Sequence, residues 1–333
     1  MYTDTLPSDK PLFSKIAILG AGTMGLGVAE YFAITGLDVT ITDMTPELSR
    51  QALGRLIARV QGHIDAGLLP PDAIERAKTV QSADDIASAV QGVDLVFEAV
   101  PEQIEIKRDV LQAVEAAVSP DTIIVSNTSS LPIDDLAKFL NHPQRFLGMH
   151  WFNPPEWTPG VEVIPSDITD PRIVTQIKAF LLVIGKRPAL VGSAPGFVAN
   201  RIQFALFREA LACVEAGLAT PEEVDEVVRS CFGFRLPFFG PFQIADMAGL
   251  DVYASIFGIL ERSLGSEWHI PEALEAVVAE GRHGTKNGKG FYTYSDEDRE
   301  KLLIERDSRY AALNDLLKQH PPLTPNSNTE DES

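Results

Sequence analysis

The sequence predicts an α/β, Rossmann-type fold: a doubly wound, mainly parallel sheet followed by an all-α C-terminal domain. Three observations carry that expectation. Short β-branched runs alternate with helical patterns through the first half, a glycine fingerprint sits at the first strand-to-helix turn, and the alternation stops at "GSAPGF" (192–197). Strands that alternate with helices imply parallel pairing with both sheet faces covered.

In order, "KIAILG" (15–20), "DVTIT" (38–42), "DLVFEAV" (94–100), "TIIVSN" (122–127) and "RFLGMHW" (145–151) are predicted strands. Segments 46–62, 71–78 and 102–118 suit helices. "VEVI" (161–164) and "RPALV" (187–191) add two strands around a helix at 170–184. Past residue 193, "VANRIQFALFREALACVEAGLA" (198–219) is a long apolar helix. "TPEEVDEVV" opens another, with Thr220 as N-cap and Pro221 at the first helical position. "PFQIADMAGLDVYASIFGILERSL" and "PEALEAVVAE" read as two more. In 296–319, Leu303, Tyr310 and Leu317 recur every seven residues, the pattern of a helix laid on a partner surface. The expected domains are an N-terminal extension (1–14), a nucleotide-binding domain (15–193), a helical domain (194–295), and a charged helical extension with a disordered tail (296–333).

The chain of 333 residues is 45% hydrophobic, enough for two ordinary cores. Its 47 acidic and 28 basic side chains give a formal net charge of −19, a field that repels nucleic acid and anionic membrane surfaces. No apolar run reaches the roughly 18 residues of a membrane helix, and the N-terminus lacks the pattern of a secretory signal. Cys213 and Cys231 have neither disulfide-framework nor metal-ligand spacing, so a reducing cytoplasm is expected. No metal is expected either.

"GAGTMG" supplies Gly20, Gly22 and Gly25 between a strand and a helix. The first glycine permits a tight turn, the second lets a pyrophosphate approach the backbone, and the third lets helix pack on strand. The helix then points its unpaired N–H groups at the phosphates. Asp43 ends the next strand, where a carboxylate accepts from an adenosine ribose and repels a 2′-phosphate, favouring NAD over NADP. FAD shares the fingerprint, and a glycine-rich turn without a ligand is the plain structural alternative.

"GMHWFNPPEWTPGVEVI" (148–164) places His150 at a strand end, with Glu162 twelve residues on. Oxidising an alcohol requires a base for the hydroxyl proton, and histidine titrates near neutrality. A carboxylate on its far nitrogen fixes the tautomer and stabilises the imidazolium. A lone histidine at a strand end is nevertheless more often structural.

The ordered set "GAGTMG", "EAVPEQIEIKRDV", "SNTSSLPI", "GMHWFNP", "VEVI", "PGFVANRI", "GPFQIADMAGLD" and "GKGFYTY", spanning about 15–294, resembles the L-3-hydroxyacyl-CoA dehydrogenase family. The resemblance implies an NAD-binding Rossmann domain, a helical domain that mediates homodimerisation, and an active site in the cleft between them. It implies His150 as acid/base, Glu162 as its partner, and Ser129 and Asn200 near the substrate oxygens. Glu102, Lys107, Asn153 and Lys286 correspond to cofactor-lining positions, with Thr23, Met24 and Asn127 from the same motifs. Taken alone, Ser129 reads as a turn hydroxyl, Asn200 as a helix cap, and Glu102 and Lys107 as exposed residues at a helix start. Trp151, Phe152 and Trp157 read as packing or pocket wall.

The expected activity is NAD-dependent oxidation of an L-3-hydroxyacyl-CoA, or its reverse, within fatty acid metabolism. The alternatives are dehydrogenation of a small non-CoA hydroxy acid or alcohol, and a non-catalytic NAD-binding protein. CoA-type relatives carry lysines near an "EKGKL"-like turn where this chain has "HIDAGLLPPD", although residues 50–80 hold five basic and three acidic side chains. "NPPEWTPG" replaces the family's "NPVPVMKL"-like residues and predicts a specialised pocket.

Overall fold

The computed structural model describes residues 12–323. Among these, eight strands form one sheet in the order β3-β2-β1-β4-β5-β6-β7-β8. β1 (Lys15–Leu19), β2 (Asp38–Thr42), β3 (Gln81–Ser82), β4 (Leu95–Glu98), β5 (Ile123–Ser126) and β6 (Phe146–Trp151) pair in parallel. β7 (Gly160–Pro165) runs antiparallel to β6, and β8 (Arg187–Leu190) lies parallel to β7.

Each central strand feeds two cores, which is why it reads as a continuous apolar run. Ile16, Ile18, Leu95, Phe97, Ile123 and Val125 point to one face. There they meet α1 (Thr23–Ile34), α2 (Pro46–Asp65) and α7 (Pro171–Val183), with α3 (Ala73–Ala77) packed on α2. Their neighbours Ala17, Leu19, Val96 and Ile124 point to the other face, covered by α4 (Ile86–Ala89), α5 (Ile104–Ala117) and α6 (Ile133–Ala137). The short β3, α4 and α6 escape sequence periodicity because none completes two repeats of its pattern. Of the expected extension 1–14, the described part docks: Phe13 stacks edge-on against Phe180 at 5.2 Å.

α8 (Ala199–Glu215) begins beside the sheet, and the first compact unit closes at Leu206, within that helix. The sequence pattern changes earlier, at 193/194; the contact division falls later because the first turns of α8 hydrogen-bond to β7.

The second unit contains α9 (Pro221–Val227), α10 (Pro241–Ala248), α11 (Leu250–Leu264), α12 (Glu272–Ala279) and α13 (Asp296–Gln319). Thr220 caps α9 as expected, accepting from the Glu223 N–H. Residues 241–264 are not one helix: Gly249 adopts φ +105°, and α10 and α11 diverge by 99°. Leu250, Leu274 and Ala245 form a small core. The buried Asp246 carboxylate accepts from the N–H groups of Phe291 and Tyr292 and from the Tyr294 hydroxyl. That cradle explains the final motif, because a Cβ on Gly290 would lie 2.1 Å from Asp246 Oδ1. In α13 only the middle of the heptad is seated: Tyr310 stacks on Phe234 and Phe239, while Leu303 and Leu317 are exposed. The tail beyond Leu323 lies outside the described residues.

Candidate active site

The three fingerprint glycines have distinct local reasons. Gly20 sits at φ +96°, and a Cβ there would stand 2.6 Å from the Ala99 carbonyl oxygen. A Cβ on Gly25 would fall 1.9 Å from the Gly20 carbonyl oxygen, so this glycine is a packing requirement of the turn. Around Gly22 nothing lies within 4 Å. Its space is open, and α1 has no side-chain cap, which leaves its N–H groups available to an anion. Thr23 is exposed there, whereas Met24 packs partly into the core.

Beside the turn lies a cavity of about 830 Å³, walled by Gly20, Gly22, Asp43, Met44, Asp85 and Pro101 among others. Asp43 reaches back to the fingerprint, accepting from the Ala21 N–H at 2.7 Å and from its neighbour Met44 at 2.6 Å. With Asp84 and Asp85 it gives the cavity an acidic rim, which suits a ribose diol and disfavours a 2′-phosphate. An adenine dinucleotide fits this donor set: open glycine for pyrophosphate, carboxylate for ribose, apolar wall for base.

Three strands along from β1, at the same carboxyl edge, β6 and β7 place His150 directly opposite Glu162. The His150 Nδ1 donates to Glu162 Oε2 at 2.9 Å, and both residues are only 4% exposed. Glu162 Oε1 accepts from the N–H groups of Val198 (3.1 Å) and Ala199 (2.8 Å), at the start of α8. Burial alone would raise the Glu162 pKa, but the bond from His150 and these two N–H groups together hold it below the ordinary carboxylate range. An ionised carboxylate has no proton to give, so Nδ1 of His150 carries the hydrogen, and in the neutral ring Nε2 then offers its lone pair. The imidazole lies between Phe152, with ring centroids 4.4 Å apart, and Phe197 at 5.8 Å. Phe197 is held at φ +47°, an unusual conformation for a bulky residue.

The dyad continues into a hydrogen-bonded chain. Asn200, next to Ala199, donates its amide N–H to the Ser129 carbonyl at 3.0 Å. Glu102 Oε1 then gathers the Ser129 and Ser130 N–H groups and the Thr128 and Ser130 hydroxyls. Burial works against the Glu102 anion, yet the Thr128 bond, the Lys107 charge and the 129–130 donors lower its pKa to about 2. Lys107 is not at an exposed helix start: it is 1% exposed and bridges Glu102 (3.2 Å) and the fully buried Glu98 (2.8 Å). Glu98 in turn accepts from the Ser126 hydroxyl at 2.5 Å. Glu98, Ser126, Thr128 and Ser130 escaped the sequence reading. The visible signal was a lone carboxylate in the doubly buried strand "LVFE".

Asn127 braces the dyad strand, its Oδ1 accepting from the Trp151 N–H at 2.8 Å. Asn153 is exposed and opens the loop by a cis bond to Pro154. Trp151 is core, whereas Trp157 lies half exposed against His63. Lys286 belongs to the second unit, where it pairs with Asp251 at 2.7 Å. Among the described residues no cluster of His, Cys, Asp or Glu could hold a metal.

A dinucleotide cradle and a buried histidine–carboxylate pair on one doubly wound sheet define a nicotinamide-dependent dehydrogenase. The comparisons with known proteins agree. The NAD-binding domain model of 3-hydroxyacyl-CoA dehydrogenase matches residues 15–194, and the C-terminal domain model of the same family matches 196–294. The chain belongs to the 3-hydroxyacyl-CoA dehydrogenase family and is an NAD-dependent oxidoreductase.

Its relatives differ in substrate. The 5-formyl-3-hydroxy-2-methylpyridine 4-carboxylate 5-dehydrogenase of Mesorhizobium japonicum is 38% identical over 92% of this chain and 99% of its own length. A probable 3-hydroxybutyryl-CoA dehydrogenase of Deinococcus radiodurans is 37% identical over 84% of this chain and 100% of its own. The crystal structure of a 3-hydroxyacyl-CoA dehydrogenase from Archaeoglobus fulgidus superposes with a TM-score of 0.76 at 32% identity, covering 92% and 99% of the two chains.

Proposed function

We propose that the substrate is a small free hydroxy acid or alcohol, and that the His150–Glu162 dyad oxidises its hydroxyl to a carbonyl. The observation that carries this reading is the state of the basic residues in 50–80. Arg59 is committed to Glu30 and Glu156, Arg55 to the Ala21 carbonyl, and Arg76 to the Ile34 carbonyl. Arg50 (with Asp84) and Lys78 (with Glu75) hold exposed ion pairs. Three of the five basic side chains there are therefore paired with the chain's own carboxylates, which leaves only the exposed Arg55 and Arg76, each bonded to one backbone carbonyl, to face the 3′-phosphate and pyrophosphate of CoA. The Mesorhizobium relative, a dehydrogenase named for a pyridine carboxylate, supports the same choice.

NAD, when bound, supplies the hydride acceptor. His150 Nε2 takes the hydroxyl proton, Glu162 stabilises the resulting imidazolium, and Ser129 and Asn200 orient the substrate oxygens. Asp43 and the open Gly22 would hold the nucleotide, and Asn153 and the Glu102–Lys107 pair would contribute to the same site. A homodimer and a cytoplasmic setting complete the proposal. α8 buries none of its own residues and exposes Ile202, Phe204, Phe207 and Leu211, and both cysteines are free thiols.

A second reading, oxidation of a short L-3-hydroxyacyl-CoA within fatty acid metabolism, draws on the Deinococcus relative. A panel of free hydroxy acids and hydroxymethyl carboxylates run against (S)-3-hydroxybutyryl-CoA separates the two. The first expects a free acid to have the highest kcat/KM; a CoA ester at least 100-fold better than every free acid overturns it. In either case His150→Ala lowers turnover by at least about 100-fold while NAD affinity holds.

A further inference from the structure

We propose that the half-buried Arg59 and the buried Glu156, with Glu30 and Lys186, form a clamp that positions the 152–159 loop between the two halves of the dyad. This inference rests on NAD binding, not on the choice of substrate. The loop leaves β6 two residues after His150 and re-enters β7 two residues before Glu162. Its middle is fastened to the helices that follow the glycine fingerprint. Arg59 of α2 donates to Glu156 of the loop and, at 2.6 Å, to Glu30 of α1, which is 1% exposed. His63 closes on the other Glu30 oxygen at 2.6 Å, and its ring meets Trp157 at 5.5 Å. From below, the buried Lys186 ammonium donates to the carbonyls of Pro155 (2.7 Å) and Thr158 (2.8 Å) and lies 3.7 Å over the Tyr31 ring. Pro155 packs so closely on α1 that a Cβ on Gly27 would stand 2.5 Å from its ring.

These contacts bear on chemistry through geometry. α1 is the helix whose N-terminus receives the pyrophosphate, and Gly27 lies five residues past Gly22 on it. A loop pinned there sets the distance between the dinucleotide and the histidine from which the loop departs. Buried ion pairs are costly to desolvate and are poor stability devices, whereas a misplacement of about 1 Å at a reacting centre costs on the order of 100-fold in rate. Four charged groups gathered under a proline-rich loop fit a positioning role. The specialised residues of "NPPEWTPG" therefore face the α1–α2 side, and Arg59 and Glu156 are positioning residues, not catalytic ones.

The test uses Glu156→Gln, Arg59→Met, the double variant and the conservative Arg59→Lys, each in the full chain. NADH and ADP-ribose are titrated separately, since ADP-ribose lacks the nicotinamide. For Glu156→Gln and Arg59→Met we expect NADH affinity to fall about 10-fold while ADP-ribose affinity stays within twofold. The double variant should be no worse than the worse single, and Arg59→Lys should recover part of the loss. With any compound the wild type turns over, kcat falls about 10- to 100-fold in the same variants. Parallel loss of NADH and ADP-ribose affinity would reduce the clamp to a structural element and overturn the proposal. So would unchanged NADH affinity and kcat in correctly folded variants.

Discussion

Glu162→Gln tests the dyad with no change of side-chain size. The carboxylate serves three donors at once: His150 Nδ1 through one oxygen and the Val198 and Ala199 N–H groups through the other. An amide has only one oxygen. If it faces His150, the NH2 group confronts two part-buried backbone donors, and each unsatisfied donor costs up to about 1–3 kcal/mol. If it faces Val198 and Ala199, both stay satisfied and the NH2 donates to Nδ1, which must then become the acceptor. The second arrangement is favoured by about 2–6 kcal/mol, and it puts the imidazole hydrogen on Nε2. A ring protonated there cannot take a hydroxyl proton. At about 1.4 kcal/mol per decade the productive tautomer, and with it kcat, falls about 30-fold to about 10⁴-fold, the upper figure matching the loss when a triad aspartate becomes asparagine in a serine protease. The assays are single-turnover NADH formation and ¹⁵N NMR of the imidazole, with NAD affinity expected within twofold of wild type. A folded variant that keeps the hydrogen on Nδ1, or retains kcat within fivefold, refutes the argument.

The glycines give opposed outcomes. Gly22→Ala meets nothing within 4 Å, so Tm should hold while the NAD Kd rises at least about 10-fold through lost pyrophosphate approach. Gly25→Ala drives a methyl into the Gly20 carbonyl and should lower stability by about 1–3 kcal/mol in urea titration as well as weakening NAD. Glu102, its pKa lowered from 4.5 to about 2, stabilises the fold fully above pH 4.5 and loses that contribution as pH falls toward 2. The shift corresponds to about 3 kcal/mol, cut to roughly 1–2 by solvent at its partly exposed carboxylate, and Glu102→Gln should flatten the acid limb of an unfolding series. Lys186 gives a slope of the same sign at alkaline pH, as relief of a burial penalty, because burial lowers its pKa from 10.5 to about 8 despite the nearby Glu156. The folded state then binds fewer protons between those values, so stability gains about 3 kcal/mol from this group as pH rises through the window. Lys186→Met should remove that slope relative to wild type.

The parts of the site visible in the sequence were those that obey a local rule. Three glycines between strand and helix describe one turn, in which Gly20 and Gly25 have steric reasons and Gly22 borders open space. His150 and Glu162 were readable as a pair because a strand, a proline-broken loop and a second strand return the chain on itself, and the antiparallel register puts them face to face. The Glu98–Lys107–Glu102 chain and the Arg59–Glu156 clamp have no such rule, since their members come from separate elements and meet only through the packing of the sheet. Yet each left a trace: Glu98 interrupts a strand buried on both faces, and Glu30 is the single charge in the otherwise apolar α1. A charge cannot be buried unpaired without several kcal/mol of penalty, so a lone carboxylate in an apolar element predicts a partner even where the sequence cannot name it. The same logic separates the excess of basic residues in 50–80 from a phosphate site. Counting charges gave a basic surface, whereas tracing each guanidinium to its acceptor shows Arg59 consumed by two carboxylates and the exposed Arg55 and Arg76 holding one backbone carbonyl each. If Glu156→Gln frees Arg59, CoA inhibition should strengthen in that variant only if this face borders the substrate, which a competition assay against 3′-phospho-ADP reads directly: unchanged inhibition there would confine Arg59 to the loop.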